Sequence, residues 1–280
     1  MKTKANTEVI FKGFEDLIGK TYPEHEVITP QGLKSYTIRA LRVCDEENLR
    51  GSVITPSKIA RHLAETLWTC IVKKPDDVKT FTDFISKTTM KDRDALLFGL
   101  YVATYKNIQK YSVTCDKCNF ANQIKVDVEK WFRAKSWLER GEGFTPILDY
   151  RAEVPLKVFQ GVKVLLKAPT IKDEIEISES TAFDSEQMAA MKMTISMIDK
   201  FVIDPNEKIP NGDTIEERDN ILSAFNSLTS PDRKIIEEAF EKEFSDYSIS
   251  VKGKVRCTRC QNEREIDIDM SQQFFRALYE

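Results

Sequence analysis

Four of the six cysteines could bind a metal ion, because they stand in two CxxC pairs: Cys115 and Cys118, and Cys257 and Cys260. A CxxC loop holds two sulfurs on one tight turn, and two such loops complete the tetrahedral four-thiolate site of structural zinc. A redox-active pair instead needs its first sulfur at a helix N-terminus. Strand-like alternation follows both pairs, at 124–126 and 266–268. The pattern favours one structural Zn²⁺ ion, with free thiols and redox chemistry as the alternatives.

The two pairs belong to a longer internal repeat. Residues 113–118 recur at 255–260, an offset of 142 residues, and the match continues without a gap into the strands that follow. Upstream, the pattern Thr-x-x-Asp-Arg occurs at 89–93 and again at 229–233. Each of these segments resembles a capped helix start, with Thr as the N-cap and Asp in the first turn. The sequence therefore predicts a tandem duplication.

The linker between the two copies is expected at 141–146, which is polar and broken by Gly and Pro. The first repeat would then cover 1–145 and the second 146–280. Packing of the repeats about a pseudo-twofold axis would bring the distant cysteine pairs to one shared ion.

The elements expected in each repeat are a β-hairpin followed by helices. Alternating residues predict hairpin strands at 33–41 and 163–166. The pattern Thr-x-x-Asp/Glu predicts capped helix starts at 80–83 and 214–217. The fold class is therefore α+β, a duplicated hairpin-plus-helices unit in which each copy ends in a zinc knuckle and the two knuckles form a zinc-ribbon-like site.

One helix of each repeat is indicated by an apolar stripe. The first begins at Thr55-Pro56 and would bury Ile59, Leu63, Leu67 and Ile71. Its counterpart would bury Met188, Met191, Ile195, Ile198 and Val202. These stripes are interpreted as core and not as cofactor-binding surfaces. The unpaired Cys44 and Cys70 are expected to be small buried hydrophobic residues.

Composition indicates a soluble, intracellular globular protein. The 280 residues are 41% hydrophobic and 31% charged, and the net charge of -3 provides no long-range attraction for nucleic acid. The N-terminus lacks the apolar region of a signal peptide, and the longest apolar run, at 95–103, is too short to cross a bilayer. A membrane partner is therefore not expected.

No catalytic residues are predicted. Gly13 and the segment Gly19-Lys20-Thr21 resemble a phosphate-binding loop, but the glycines are one residue too far apart and no helix is expected to follow. His25-Glu26 begins a metalloprotease pattern that Thr29 breaks. His25 and His62 are the only histidines, so general-base chemistry lacks its usual residue. A four-thiolate zinc site would also leave no open position for substrate.

Basic residues around the knuckles allow an alternative function, single-strand or RNA binding. They are Lys117 and Lys125 near the first pair, and Arg256, Arg259 and Arg264 near the second. A solvated face is the simpler interpretation, because the chain as a whole is acidic. Exposed aromatics for base stacking would discriminate the two, and Phe120 is the only candidate beside a knuckle. A zinc-ribbon nucleic-acid-binding protein is therefore the second hypothesis.

The stretch 92–105 (DRDALLFGLYVATY), followed by the 113–118 knuckle, resembles the baseplate hub proteins of T-even-like contractile-tailed bacteriophages. The likeness is greatest over 89–132. It implies a late virion protein, either a hub subunit or a hub assembly factor, in the tail baseplate or in the host cytoplasm during assembly. Its partners would be other tail and baseplate proteins, and the resemblance brings no catalytic residues. Such a role should leave an exposed apolar patch for protein contact; the oligomeric state stays open.

Overall fold

The computed structural model describes residues 22–51, 56–105, 108–141, 145–159, 161–180, 186–203, 214–269 and 274. Helices and antiparallel strands are mixed along this part of the chain, which confirms the α+β class. The helices and strands are numbered below in chain order.

A three-stranded antiparallel sheet begins the described chain. Its order is β1 (Glu24–Ile28), β2 (Ser35–Arg39) and β3 (Ile71–Lys73), so the expected first hairpin is present. The helices of this half are α1 (Val43–Gly51), α2 (Pro56–Cys70), α3 (Phe81–Lys87) and α4 (Met90–Thr104). Next come β4 (Ile108–Thr114), β5 (Ala121–Asp127), α5 (Val128–Trp131), β6 (Phe132–Ala134) and a 3₁₀ helix (Trp137–Arg140).

The second half begins with a four-stranded antiparallel sheet. Its strands are β7 (Ala152–Pro155), β8 (Val162–Leu166), β9 (Ile198–Ile203) and β10 (Thr214–Ile215). The helices are α6 (Ile171–Ser180), α7 (Glu186–Ser196), α8 (Arg218–Ser227) and α9 (Ser230–Phe240), which continues into a π-helical turn (Glu241–Ser245). The last hairpin pairs β11 (Ile249–Arg256) with β12 (Glu263–Asp267), and β6 pairs on the other side of β11.

The apolar stripe of α2 is largely where the sequence places it. Leu63 and Leu67 are buried in the first core, whereas Ile59 is 39% exposed. Ile71 is buried too, but it begins β3 because the helix ends at Cys70. The capped start at 80–83 is also confirmed: Thr80 and Asp83 form a reciprocal capping box.

Two helix predictions in the second half are wrong. The helix was expected to continue through Ile198 and Val202, but α7 ends at Ser196 and these two residues lie in β9. This strand lies between β8 and β10, so it forms backbone hydrogen bonds on both sides. These bonds favour the strand conformation of this segment over the helical one. Thr214 caps no helix and instead lies in β10, pairing with Val202, while α8 begins at Arg218.

Asp92 connects α4 to the first hairpin. Thr89 caps the helix by accepting from the Asp92 amide. The Asp92 carboxylate, 1% exposed, accepts the amides of Gln31 and Gly32, both at 2.8 Å. Gly32 suits this close approach, because a Cβ at that residue would lie 2.8 Å from the carboxylate. Asp92 therefore holds the turn of the hairpin as well as the start of its own helix.

Asp232 occupies the matching place in the second half. Its buried carboxylate accepts the amides of Lys157 at 2.8 Å and Val158 at 3.0 Å, in the connection between β7 and β8. Thr229 precedes α9 but donates its hydroxyl to Asp232 instead of capping the helix. In both halves the aspartate of the Thr-x-x-Asp pattern therefore binds a hairpin loop.

Two buried clusters form the core, and each takes residues from both sides of the predicted boundary at 145/146. The first is centred on α2 and α4 and includes Ile171, Val251 and Phe274 from the second half of the sequence. The second is centred on the four-stranded sheet and includes Trp137. Residues 142–144 of the expected linker lie outside the described residues. The boundary therefore stays a prediction about repeats in the sequence.

Candidate metal centre

The first cysteine pair lies in the loop of the β4–β5 hairpin. Within this loop the Cys115 amide donates to the carbonyl of Phe120 at 2.9 Å, and the Asn119 amide donates to the carbonyl of Cys115 at 2.9 Å. Asn119 takes the left-handed conformation, with φ of 53°, which Asn tolerates better than most residues. The loop thus turns the Cys115 and Cys118 side chains to one side.

The second pair lies in the β11–β12 loop, which repeats this geometry. The backbone amide of Cys257 donates to the carbonyl of Asn262 at 2.8 Å, and the backbone amide of Gln261 donates to the carbonyl of Cys257 at 3.0 Å. Gln261 has a φ of 60° and stands 142 residues after its counterpart in the first loop. The strands predicted after both pairs are confirmed as β5 and β12.

The four sulfurs converge. Cys115 Sγ lies 3.6 Å from Cys260 Sγ, and Cys118 Sγ lies 3.7 Å from Cys257 Sγ. All four sulfurs lie within 4.8 Å of one another. Tetrahedral zinc with Zn–S bonds of about 2.3 Å requires sulfurs about 3.8 Å apart. The donor set and its spacing therefore fit a four-thiolate ion, and the two loops contribute two sulfurs each.

Loop amides favour the thiolate form of two of the four cysteines, Cys115 and Cys257. Hydrogen bonds from backbone amides, the Cys260 amide above all, lower the pKa of Cys257 to about 6. The Cys118 amide contributes most to lowering the pKa of Cys115. The Phe120 amide also lowers the pKa of Cys118, but burial and the neighbouring thiols outweigh it and raise that pKa to about 12. A bound dication would favour the thiolate form of all its cysteine ligands, because zinc binds the deprotonated sulfur.

The remaining cysteines lie apart from this cluster. Cys70 is buried as expected, and burial raises the pKa of its thiol to about 12. Cys44 is exposed, so the prediction that it is buried is wrong. It lies in the first turn of α1, and the residue of this helix that is buried in the core is Leu49, near its end. Across the described ranges, no other group of three or more Cys, His, Asp or Glu residues gathers in a way that could hold a metal ion.

One residue at the centre was missed in the sequence. Asn122, the second residue of β5, is 3% exposed and reaches across to the other knuckle. Its carbonyl oxygen accepts from the Thr258 amide at 2.9 Å, and its amide lies 3.6 Å from Cys257 Sγ. A lone asparagine in an alternating strand carries no signal for such a role.

Carboxylates pair with two of the five basic residues near the knuckles. Arg256 pairs with Glu263 at 3.6 Å, and Arg264 pairs with Asp116. Arg259 is exposed, and Phe120 is 40% exposed. A nucleic-acid strand would therefore have to compete with existing ion pairs for two of the three arginines.

The rejected catalytic motifs gain no support. His25 lies in β1 and packs edge-on against Phe98, and His62 lies on α2 with its Nδ1 3.5 Å from Glu65. The phosphate-loop residues Gly13 and Gly19-Lys20-Thr21 lie outside the described part of the chain.

An apolar groove of about 450 Å³ lies beside β1. Ile28, 68% exposed, contributes to it, together with Phe98 and Phe132, whose rings stack with centroids 4.2 Å apart. This is contiguous apolar surface of the kind expected for protein contact, and that use stays a prediction.

No helix in the described ranges is both long enough and apolar enough to span a bilayer.

The fold and the site define an α+β scaffold whose two zinc-knuckle-like loops meet at one four-thiol centre. The chain belongs to the T4 bacteriophage base plate protein family, whose model matches residues 22–276. Neither the curated proteins nor the solved structures gave a match. The chain is therefore a phage baseplate protein. Membership implies a place in the virion tail and contacts with other tail proteins, and it favours a structural role over a catalytic one.

Proposed function

We propose that the chain is a structural or assembly protein of the baseplate hub that acts through protein contacts. One structural zinc ion joins its two cysteine pairs. The ligands are Cys115, Cys118, Cys257 and Cys260. Assignment to the hub, within the baseplate, rests on the resemblance of residues 89–132. The protein acts in the tail baseplate or, during assembly, in the host cytoplasm.

The convergence of the four sulfurs carries the proposal. Cys118 and Cys257 are separated by 139 residues, yet their sulfurs lie at the distance that tetrahedral zinc requires. A four-thiolate ion is coordinatively closed, so its contribution is to stability and not to substrate chemistry. Structural zinc supplies roughly 10 to 16 kcal/mol of apparent binding free energy at neutral pH, which is comparable to the stability of a whole domain.

Tandem duplication accounts for the shared site. Both knuckles repeat their loop hydrogen bonds and their left-handed residue at the same offset, and Asp92 and Asp232 bind hairpin loops in the same way. An ion on the pseudo-twofold axis would be the natural meeting point of two such copies. Zinc would then hold together hairpins from opposite ends of the chain.

Protein contact is favoured over nucleic acid. The chain carries a net charge of -3, and carboxylates pair with Arg256 and Arg264 beside the knuckles. Exposed apolar surface at the groove next to β1 offers area for protein contact instead. The zinc-ribbon nucleic-acid-binding function remains the second candidate, without an observation that favours it.

Co-purification from infected cells tests the hub assignment. A tagged full-length chain should recover baseplate hub proteins, identified by mass spectrometry, and the Cys118→Ser/Cys257→Ser variant should recover much less, because its knuckles no longer hold together. An untagged infection provides the background. Recovery of other tail components without hub proteins would contradict the hub assignment. A salt-dependent mobility shift of a short single strand, without recovery of any tail protein, would favour the nucleic-acid function.

A further inference from the structure

Two side chains cross between the knuckles from equivalent positions. Asn122 is the second residue of β5, and Arg264, at an offset of 142 residues, is the second residue of β12. Asn122 bonds to the second knuckle, and Arg264 bonds to the first. The crossing is reciprocal, but the two residue types differ, so one position acts as a natural control for the other.

Asn122 uses both ends of its amide. Its oxygen accepts from the Thr258 amide at 2.9 Å and from the Thr258 hydroxyl at 3.0 Å. Its nitrogen lies 3.1 Å from the Phe120 carbonyl, 3.4 Å from that of Val113 and 3.6 Å from Cys257 Sγ. A backbone amide is always a donor, so the Thr258 amide fixes which end of Asn122 is the oxygen and turns the N–H groups toward the sulfur.

Arg264 makes a different connection. Its guanidinium donates to the Thr114 carbonyl at 3.1 Å and to the Asp116 carboxylate. Among the described residues, Arg264 makes no hydrogen bond to a cysteine sulfur, and its side chain is 33% exposed. Arg264 therefore joins the knuckles by their backbone and surface, whereas Asn122 touches a ligand atom.

We propose that Asn122 is a positioning residue of the metal centre, holding Cys257 and Thr258 of the second knuckle against the first and donating an N–H to the Cys257 sulfur. This inference rests on the proposed zinc site. Hydrogen bonds to a metal ligand orient it and disperse its charge, and losing one weakens metal affinity by about 10- to 100-fold. The hydrogen bond between Asn122 and Thr258 also joins residues that are 136 positions apart in sequence.

Zinc affinity of three full-length variants, measured by competition with a chromophoric chelator, tests this role. Asn122→Leu removes both ends of the amide at similar volume. Asn122→Asp keeps the acceptor for Thr258 but places a carboxylate beside the Cys257 sulfur. Both should weaken zinc binding by about 10- to 100-fold, with Asp affected at least as much as Leu. Arg264→Leu, the matched control, breaks the other connection between the knuckles without removing a hydrogen bond to sulfur, and should weaken zinc binding less than either Asn122 variant.

Cobalt substitution adds a readout that general loosening would not reproduce. The d–d bands of tetrahedral four-thiolate Co²⁺ should persist in Asn122→Asp, while the sulfur-to-cobalt charge-transfer band should shift because one thiolate has lost its hydrogen bond. If Asn122→Leu does not fold, the near-isosteric Asn122→Asp carries the test through its affinity and its spectrum.

The outcomes separate this inference from the proposed function. If the unaltered protein binds zinc and Asn122→Asp binds it equally, with an unchanged cobalt spectrum, the positioning role is overturned and the zinc site stands. An equal loss of affinity in Arg264→Leu would also overturn it, because contact with the sulfur would then not matter. Failure of the unaltered protein to bind zinc would overturn both.

Discussion

Replacing Cys118 or Cys257 with serine should remove tightly bound zinc and lower the melting temperature by a similar, large amount. A serine hydroxyl is a poor substitute for a thiolate, and the remaining three ligands lose the closed tetrahedral site. Loss of about 5 kcal/mol from the 10 to 16 kcal/mol that structural zinc supplies corresponds to a fall of roughly 10 to 20 °C. Thermal denaturation with parallel zinc analysis measures both quantities.

The double variant decides whether the two cysteines share one ion. Cys118→Ser/Cys257→Ser should be little less stable than either single variant, because both substitutions affect the same site. Cys44→Ser, at an exposed cysteine outside the cluster, should retain full zinc content and an unchanged melting temperature. Additive losses in the double variant would indicate independent sites and contradict the shared ion.

Asp92→Ala should destabilise the protein by roughly 2 to 5 kcal/mol. The substitution leaves the buried amides of Gln31 and Gly32 without their acceptor, and each unsatisfied buried donor costs about 1 to 3 kcal/mol. Asp232→Ala should have an effect of similar size, because it releases the amides of Lys157 and Val158. Urea denaturation gives the free energies of unfolding.

The matched control is Asp76→Ala, an exposed aspartate that should change stability by less than about 0.5 kcal/mol. Equal, small effects of Asp92→Ala and Asp76→Ala would contradict the anchoring role. Burial raises the pKa of Asp92 to about 6, so its contribution to stability is full below pH 3.8 and declines as the pH rises through 6. The stability gap between the unaltered protein and Asp92→Ala should therefore narrow between about pH 4 and pH 6 and stay constant at higher pH.

The clustering of the four cysteines could be predicted because local spacing and a repeat in the sequence both identify them. A CxxC pair followed by strand alternation is a short-range pattern, and the offset of 142 residues links the two pairs without any structural knowledge. The Thr80 capping box was predictable for the same reason, since its donor and acceptor lie within one helical turn.

The parts that sequence reasoning missed depend on distant neighbours. The apolar spacing of Ile198 and Val202 suits either a helix or a strand, and the ladder with β8 decides for β9. The capping pattern at Thr214 is overridden by pairing with β9 in the same way. Asn122 contacts Thr258 and Cys257 only when the two hairpins pack together, so no local sequence pattern predicts its role.

The sequence repeat likewise did not predict which residues share a hydrophobic core. Val251 of β11 and Ile268, just after β12, belong to the same buried cluster as Val126 of the first half. An apolar residue in an alternating strand reports that one face is buried but not which part of the chain covers it. The repeat boundary therefore does not divide the two cores.

Metal content of the purified full-length protein decides whether one zinc ion joins the two cysteine pairs. The chain should be purified without added zinc, and its metal and protein measured on the same monodisperse sample by elemental analysis and native mass spectrometry. We expect one zinc ion per chain, with all four thiols of the cluster protected from alkylation until a chelator removes the ion. Two ions per chain, or a metal-free protein whose stability does not respond to added zinc, would contradict it.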